Sequence, residues 1–270
     1  MYKMITIDID DTLINDQKEV SEGTKLALQA AVDKGVIVTL ATGRMFASAK
    51  QIAKQLDLNV PIITYQGSLI KNCLDETVLY ERSVPSEAVA KLFAFARDKG
   101  LHLQAYYQDE LYAAEVNDKL LAYCELSNVP YKIESDFEKL CMMPMTKLII
   151  IDEPALLDEI APQLREILGD EVHVTKSKPN FLEFIHREGT KGSAVAFLAE
   201  RYQCELSEVI AVGDSWNDHD MIETAGMGVA MENAVPALKE IANFITHSNN
   251  DEGVKHVIET FILNAEQPVK

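Results

Sequence analysis

Asp8-Ile9-Asp10-Asp11-Thr12 decides how the rest of this chain is read, because its leading carboxylates close an apolar run, Met4 to Ile7, with the character of a buried strand. A parallel α/β sheet presents its ligands at the carboxyl ends of its strands, so a strand that ends in acids places them in that crevice. The residue types narrow the chemistry. Asp8 is suited to act as a nucleophile, Asp10 as a proton carrier, and a hard cation such as Mg²⁺ to hold the two negative groups together. Acid-rich strand ends also occur as plain helix caps and solvated turns, so the surrounding sequence must decide.

Outward from this strand, Ser21 through Asp33 spaces Leu26, Leu28, Ala31 and Val32 at helical intervals, and Lys34-Gly35 supplies a basic last turn and a terminator. Val36 to Leu40 reads as a second strand, a helical stretch follows Arg44, and Val60 to Tyr65 reads as a third strand. This βαβαβ series predicts a parallel sheet with right-handed crossovers. From Val84 to about Arg187 aromatic residues become denser and strand-like and helical segments mix, which predicts an inserted second domain over 84–187. Its expected elements are helices at Ser86–Lys99 and Pro154–Leu168 and strands near Leu103–Tyr107, Lys147–Ile151 and Phe181–His186. The α/β texture returns with a helix from Lys191 to Tyr202 and apolar runs at Val209–Val212 and Gly228–Met231. Residues 1–83 and 188–270 are thus expected to form one Rossmann-like, doubly wound parallel-sheet core. Two connecting segments, near Ser83-Val84-Pro85 and His186 to Gly189, can serve as a hinge.

Composition limits the function classes. Of 270 residues, 47% are hydrophobic and 25% charged, the balance of a globular protein. The formal charge of −18 and the lack of a Lys/Arg cluster exclude nucleic acid as a partner, so a phosphorylated ligand must be drawn in by a local cation. Cys73, Cys124, Cys141 and Cys204 are too scattered for a zinc cluster or a disulfide framework, and they fit a reducing cytoplasm. Met1 runs into the first strand without a cationic leader, and no segment reaches the apolar length that spans a bilayer. A cytoplasmic protein is expected, free of membrane.

Three further signals sit at predicted element ends. Thr39-Leu40-Ala41-Thr42-Gly43-Arg44 runs from a strand into a helix, so the Thr42 hydroxyl and the N–H groups after it offer an anion site or an ordinary N-cap. Gly189-Thr190-Lys191-Gly192 opens a helix with a lysine, against the macrodipole, so Lys191 needs another reason to be there, such as holding an anion. Gly213-Asp214-Ser215-Trp216-Asn217-Asp218 crowds two acids and an amide at another strand end of the same sheet.

In this order the four segments resemble the motifs of the haloacid dehalogenase superfamily of phosphotransferases, each in its expected secondary-structure context. The insert between the second and third motifs is similar to the α/β cap of the Cof-type sugar phosphatase branch. Gly228-Val229-Ala230-Met231-Glu232-Asn233-Ala234 and Asn249-Asn250-Asp251-Glu252-Gly253-Val254 resemble that branch's C-terminal signature. Two departures stand out. Asp11 replaces the family's usual glycine, although Asp tolerates left-handed backbone, and Gln66 stands where relatives usually carry Asn.

The resemblance implies a Mg²⁺-dependent hydrolase of small phosphomonoesters. Asp8 would form an aspartyl-phosphate, and Asp10 would protonate the leaving oxygen and later take a proton from water. Mg²⁺ would be held by the Asp8 carboxylate, the Asp10 backbone carbonyl and Asp214, with Asp218 positioning its waters. Thr42, Gly43, Lys191 and Asn217 would cradle the phosphoryl oxygens. Two alternatives stay open: a phosphomutase, which needs converging cap cations for a second phosphate, and a non-catalytic phosphate- or metal-binding regulator, which would have lost part of the acid set. Sugar phosphates, nucleotides, pyridoxal phosphate and riboflavin-pathway phosphates all remain as substrates. Tyr106, Tyr107 and His102 are conceivable ring contacts, but an aromatic strand that packs its own domain explains them as well. Oligomeric state is not readable.

Overall fold

The computed structural model describes residues 1–57 and 59–264; residues 265–270, assigned above to the core, lie outside this range. The chain begins with β1 (Met4–Asp8), α1 (Glu22–Asp33), β2 (Ile37–Ala41), α2 (Phe46–Lys54) and β3 (Pro61–Thr64), then the hairpin β4 (Leu69–Asn72) and β5 (Val78–Glu81). There follow α3 (Ser86–Lys99), β6 (Leu103–Tyr107), β7 (Glu110–Ala113), α4 (Asp118–Ser127), β8 (Lys132–Ile133), β9 (Lys147–Ile151), α5 (Pro154–Leu168), β10 (Val172–Lys178) and β11 (Phe181–His186). The last stretch holds α6 (Lys191–Arg201), β12 (Val209–Gly213), α7 (His219–Thr224), β13 (Met227–Ala230), α8 (Pro236–Ile241), β14 (Phe244–Ile245) and α9 (Gly253–Ile258).

Local chemistry sets the element ends. The Ser21 hydroxyl accepts the Thr24 N–H at 3.1 Å and starts α1. At its other end Gly35, at φ +83°, lets Val36 N–H reach the Ala31 carbonyl and Gly35 N–H the Val32 carbonyl, closing the helix in a Schellman motif. The helix buries Thr24, Ala27, Leu28 and Ala31, whereas Leu26, counted above on the apolar face, is 66% exposed. Thr190 caps α6 in the same way, its hydroxyl accepting the Ser193 N–H, which makes Lys191 the first helical residue.

Eight strands form the core sheet in the order β14-β13-β12-β1-β2-β3-β4-β5. The first six run parallel, as the alternating pattern requires. The antiparallel β4–β5 hairpin at the edge was not foreseen, because each strand has four residues and β5 exposes Val78 and Glu81. The chain leaves β1 toward β2 and β3 on one side and returns through β12 toward β13 and β14 on the other. The switch point lies between β1 and β12, where such sheets bind ligands.

The second sheet, β10-β11-β9-β6-β7-β8, is built wholly from the inserted segment. Its strands pair antiparallel except β7 with β8. Helices α3 and α5 cover one face, and Leu148, Ile150, Leu182 and Phe184 point into that layer with Leu92, Phe93 and Leu164. By strand alternation the other face carries Gln104, Tyr106, Lys147, Ile149, Phe181 and Glu183. Tyr106, Ile149 and Phe181 there join one apolar cluster with the core sheet. The expected α3, β6, β9, α5 and β11 have the observed bounds, while β7, α4, β8 and β10 went unread: β10 ends in Lys176-Ser177-Lys178, and α4 buries only Leu120 and Tyr123.

Candidate active site

Four neighbouring strands of the core sheet, β12, β1, β2 and β3, end side by side, and each delivers one of the segments singled out by sequence. Asp8 is the last residue of β1 and is 4% exposed. Thr42 and Gly43 follow β2, Tyr65 and Gln66 follow β3, and Asp214 follows β12. Lys191 arrives from the first turn of α6, 1% exposed, with its ammonium between Asp8 and Asp218. It donates to Asp8 Oδ1 and, at 2.5 Å, to Asp218 Oδ1. That contact answers why a lysine opens this helix.

Carboxylate oxygens of Asp8, Asp214 and Asp218 lie within 4.8 Å of one another. Asp218 is fully buried and fully engaged: Oδ2 accepts the backbone N–H groups of Asp214 and Ser215, each at 3.0 Å, and Oδ1 takes Lys191. A Cβ at Gly213 would sit 2.6 Å from the Asp218 Cγ, so only glycine lets Asp218 fold back on this strand end. Asp214 Oδ1 accepts the Thr12 hydroxyl at 2.8 Å. Among the described residues no hydrogen bond reaches Asp8 Oδ2 or Asp214 Oδ2.

Two buried acids that share one lysine, and the half-buried Asp214 beside them, repel one another. Burial, and next the charge of Asp218, raise Asp8 well above the usual carboxylate range, with Lys191 opposing. Burial and Asp218 push Asp214 up to about 7. Burial works against the Lys191 charge, but Asp218 and Asp8 outweigh it and raise its pKa, so Lys191 stays an ammonium. A cluster of hard oxygen donors with surplus negative charge and two open carboxylate oxygens fits a divalent cation.

Asp10 is not among the three converging carboxylates. It pairs with Arg44, whose Nε and Nη2 donate to its two oxygens at 2.7 and 2.5 Å. Burial tends to raise the Asp10 pKa, but the Arg44 hydrogen bonds and charge prevail and hold it below the usual range. Asp11 adopts φ +57°, the left-handed turn that its position demands. Asn233 Nδ2 donates to the Asp11 carbonyl at 2.7 Å, and Asn249 donates through N–H to Asn233 Oδ1 and through Nδ2 to the Ile14 carbonyl. The two C-terminal signature segments thus brace the turn that carries Asp10.

A cleft of about 270 Å³ opens over Asp8, Asp10, Thr42, Gly43, Asp214 and Asn217. Asn217 Nδ2 donates to Gln66 Oε1 at 3.0 Å, and Gln66 Nε2 to Glu183 Oε2 at 3.4 Å. From the inserted segment come Tyr123 of α4, Val129, Phe181, Lys178 and a buried pair, Lys147 with Glu183 at 3.3 Å. Burial disfavours the Lys147 charge, yet Glu183 more than restores it and raises its pKa. Tyr106 is buried, donating to the Tyr123 hydroxyl at 2.5 Å, so it packs and does not face a ligand. Arg44, Thr12, Lys147 and Glu183 were not assigned from sequence. The last two left a signal, since each is a charge inside an apolar strand, Lys147-Leu148-Ile149-Ile150-Ile151 and Phe181-Leu182-Glu183-Phe184-Ile185.

Comparison with known proteins agrees with this geometry. Residues 5–258 match the family described as haloacid dehalogenase-like hydrolase. The chain is 33% identical over 270 residues to YxeH of Bacillus subtilis, covering 97% of this chain and 99% of that one. It is 28% identical over 261 residues to YcsE of the same bacterium, a 5-amino-6-(5-phospho-D-ribitylamino)uracil phosphatase, covering 97% and 96%. The solved structure of TM0651 from Thermotoga maritima is 35% identical and superposes with a TM-score of 0.87, covering 96% of this chain and 97% of that one. Two strands that end in acids, a lysine held between Asp8 and Asp218 and a match over residues 5–258 lead to one conclusion: the chain belongs to the haloacid dehalogenase-like hydrolase family.

Proposed function

We propose that the chain hydrolyses small phosphomonoesters, sugar phosphates or similar metabolites, through an aspartyl-phosphate on Asp8. Asp8 Oδ1 is held by Lys191, which leaves Oδ2 to attack phosphorus while the bond from phosphorus to the leaving oxygen breaks. Asp10 gives the leaving oxygen its proton. In the second half Asp10 takes a proton from the attacking water, the bond from phosphorus to Asp8 breaks, and inorganic phosphate departs. In its pair with Arg44, Asp10 is ionised, so a bound phosphoryl group must draw Arg44 away before Asp10 can carry a proton. Thr42, the N–H groups around Gly43, Lys191 and Asn217 would bind the phosphoryl oxygens.

Asp8, the Asp10 carbonyl and Asp214 would hold Mg²⁺, and Asp218 would set the geometry from behind through its bonds to Asp214 N–H and Lys191. The cation would supply charge neutralisation that lets a carboxylate approach a phosphate dianion. Residues 84–187 would act as the cap that sets specificity, and residues 1–83 with 188–270 as the catalytic core. Of the cap cations among the described residues, Lys147 and Lys178 line the cleft, and Lys147 is already matched by Glu183, which leaves Lys178 alone where a mutase's second phosphate would need several. The four free cysteines suit a reducing cytoplasm, and no helix among the described residues is long and apolar enough to cross a membrane.

The observation that carries this reading is the Asp8–Lys191–Asp218 contact beside Asp214 at the floor of the cleft. Its test is phosphate release from a panel of small phosphomonoesters, with Mg²⁺ and with EDTA, by wild type and Asp8→Asn. Release that depends on Mg²⁺ and vanishes in the variant is expected; near-normal turnover by Asp8→Asn would sink the mechanism.

A further inference from the structure

We propose that Asp109 is a positioning residue: from the tip of the cap it latches the two core loops of the phosphate cradle, so that closing the cap completes the cradle. This rests on the phosphatase reading above. Asp109 lies in the two-residue turn, Gln108-Asp109, that joins β6 to β7, with Tyr107 paired to Glu110 across it. Both turn residues are left-handed, at φ +52° and +61°. Such a turn draws on glycine, asparagine and aspartate, so the backbone admits Asp109 and bears its strain at Gln108. The hairpin admits an aspartate but does not call for one over glycine or asparagine.

The core does. Asp109 Oδ1 accepts the Phe46 N–H at 2.9 Å and the Tyr65 hydroxyl at 2.7 Å, and Oδ2 accepts the Ala47 N–H at 3.0 Å. Helix α2 has no capping side chain of its own, since Met45 stands at the N-cap, so a carboxylate from more than sixty residues away satisfies its first N–H groups. That helix begins two residues after Arg44, the partner of Asp10. Tyr65 and Gln66 are themselves left-handed, at φ +52° and +63°, and their N–H groups donate to the carbonyls of Arg44 and Thr42. The Tyr106 ring of the cap packs edge-on against Tyr65 with centroids 5.5 Å apart.

The remaining cap-to-core hydrogen bonds fall on the same loops. Lys147 donates to the Gly43 carbonyl, Gln66 to Glu183, and the Ser48 hydroxyl to the Ser127 carbonyl. Away from the two connecting segments, every such bond among the described residues lands on residues 43–48 or 65–66. The cap therefore grips the core where phosphate would bind, and Asp109 makes three of the contacts.

The experiment measures kcat, KM and thermal midpoint for wild type, Asp109→Ala, Asp109→Asn and Tyr65→Phe, with p-nitrophenyl phosphate as substrate and inorganic phosphate as competitive inhibitor. Asp109→Ala is expected to weaken phosphate inhibition and lower kcat/KM by roughly tenfold or more, at least the worth of one of the three charge-assisted hydrogen bonds it removes. Asp109→Asn keeps one acceptor and should fall between, and Tyr65→Phe should cost about three- to tenfold. A lowered thermal midpoint with phosphate inhibition and kcat/KM unchanged means a merely structural cap contact and overturns the proposal. So does a lowered kcat/KM with phosphate inhibition unchanged, because Asp109 would then act through the leaving group. Should Asp109→Ala fail to fold, Tyr65→Phe decides, and unchanged phosphate inhibition in it overturns the latch. A wild type that neither turns over nor binds phosphate overturns the phosphatase reading itself.

Discussion

Replacing Lys191 with methionine keeps the length of the side chain and removes its charge. In the wild type this ammonium is wholly enclosed, with side-chain exposures of 0% for Lys191, 6% for Asp8 and 1% for Asp218. The variant leaves those two carboxylates in place without their shared cation, and breaking one side of a buried ion pair costs about 3–5 kcal/mol. With an m-value of roughly 3 kcal/mol/M in urea, the midpoint should fall by about 1–1.7 M near neutral pH. The pH dependence gives the argument its sign. The folded-state pKa of Asp8 is raised, so its burial penalty is absent below its unfolded value of about 3.9, grows as pH rises above that, and is complete above the folded value. Without Lys191 that value climbs further. The gap between variant and wild type should therefore be larger near pH 8 than near about pH 5. Urea unfolding followed by far-ultraviolet circular dichroism, in EDTA at both pH values, measures it. A gap under about 1 kcal/mol near pH 8, or one of equal size at both pH values, would refute the electrostatic account of this cluster.

Asp10→Asn should slow turnover by roughly 10²–10⁴-fold, with a smaller loss for p-nitrophenyl phosphate than for an alkyl phosphate, since a good leaving group needs little protonation. Equal losses across leaving groups would remove Asp10 from the acid role. Arg44→Met deletes the groups that hold Asp10 below the usual carboxylate range, so Asp10 should titrate higher and the acid limb of the kcat/KM profile should move up in pH; a profile of unchanged shape would mean that this pair does not govern Asp10. Saturating Mg²⁺ should raise the thermal midpoint, by the equivalent of about 2.7 kcal/mol at a hundred times its dissociation constant. Because Asp214 is pushed up to about 7, protons compete for it below that pH, and the Mg²⁺ effect should be larger at pH 8 than at pH 6. Calorimetry that finds the same gain at both would count against Asp214 as a ligand.

Much of this protein is legible because its signals are local. Apolar runs of four or five residues name β1, β2, β9 and β12, and Ser21, Lys34-Gly35 and Thr190 mark helix ends through hydrogen bonds with residues a turn away. Asp8, Lys191 and Asp214 could be picked out because a charge that closes or opens an apolar element is costly and needs a reason. The hairpin β4–β5 and strand β10 were lost for the opposite cause: each buries few residues, and its pairing partner decides its state.

The sequence by itself determined the alternating parallel core, the insertion and the residue types at four strand and helix ends. Only tertiary structure decided which of them meet: Lys191 reaches Asp8 across 183 residues, Asp10 turns to Arg44, and Asp109 crosses from the cap to the first turn of α2. Periodicity and capping are near-neighbour effects written into short windows of chain, whereas these contacts depend on the order and register of strands in a sheet, and so on the packing of the whole molecule.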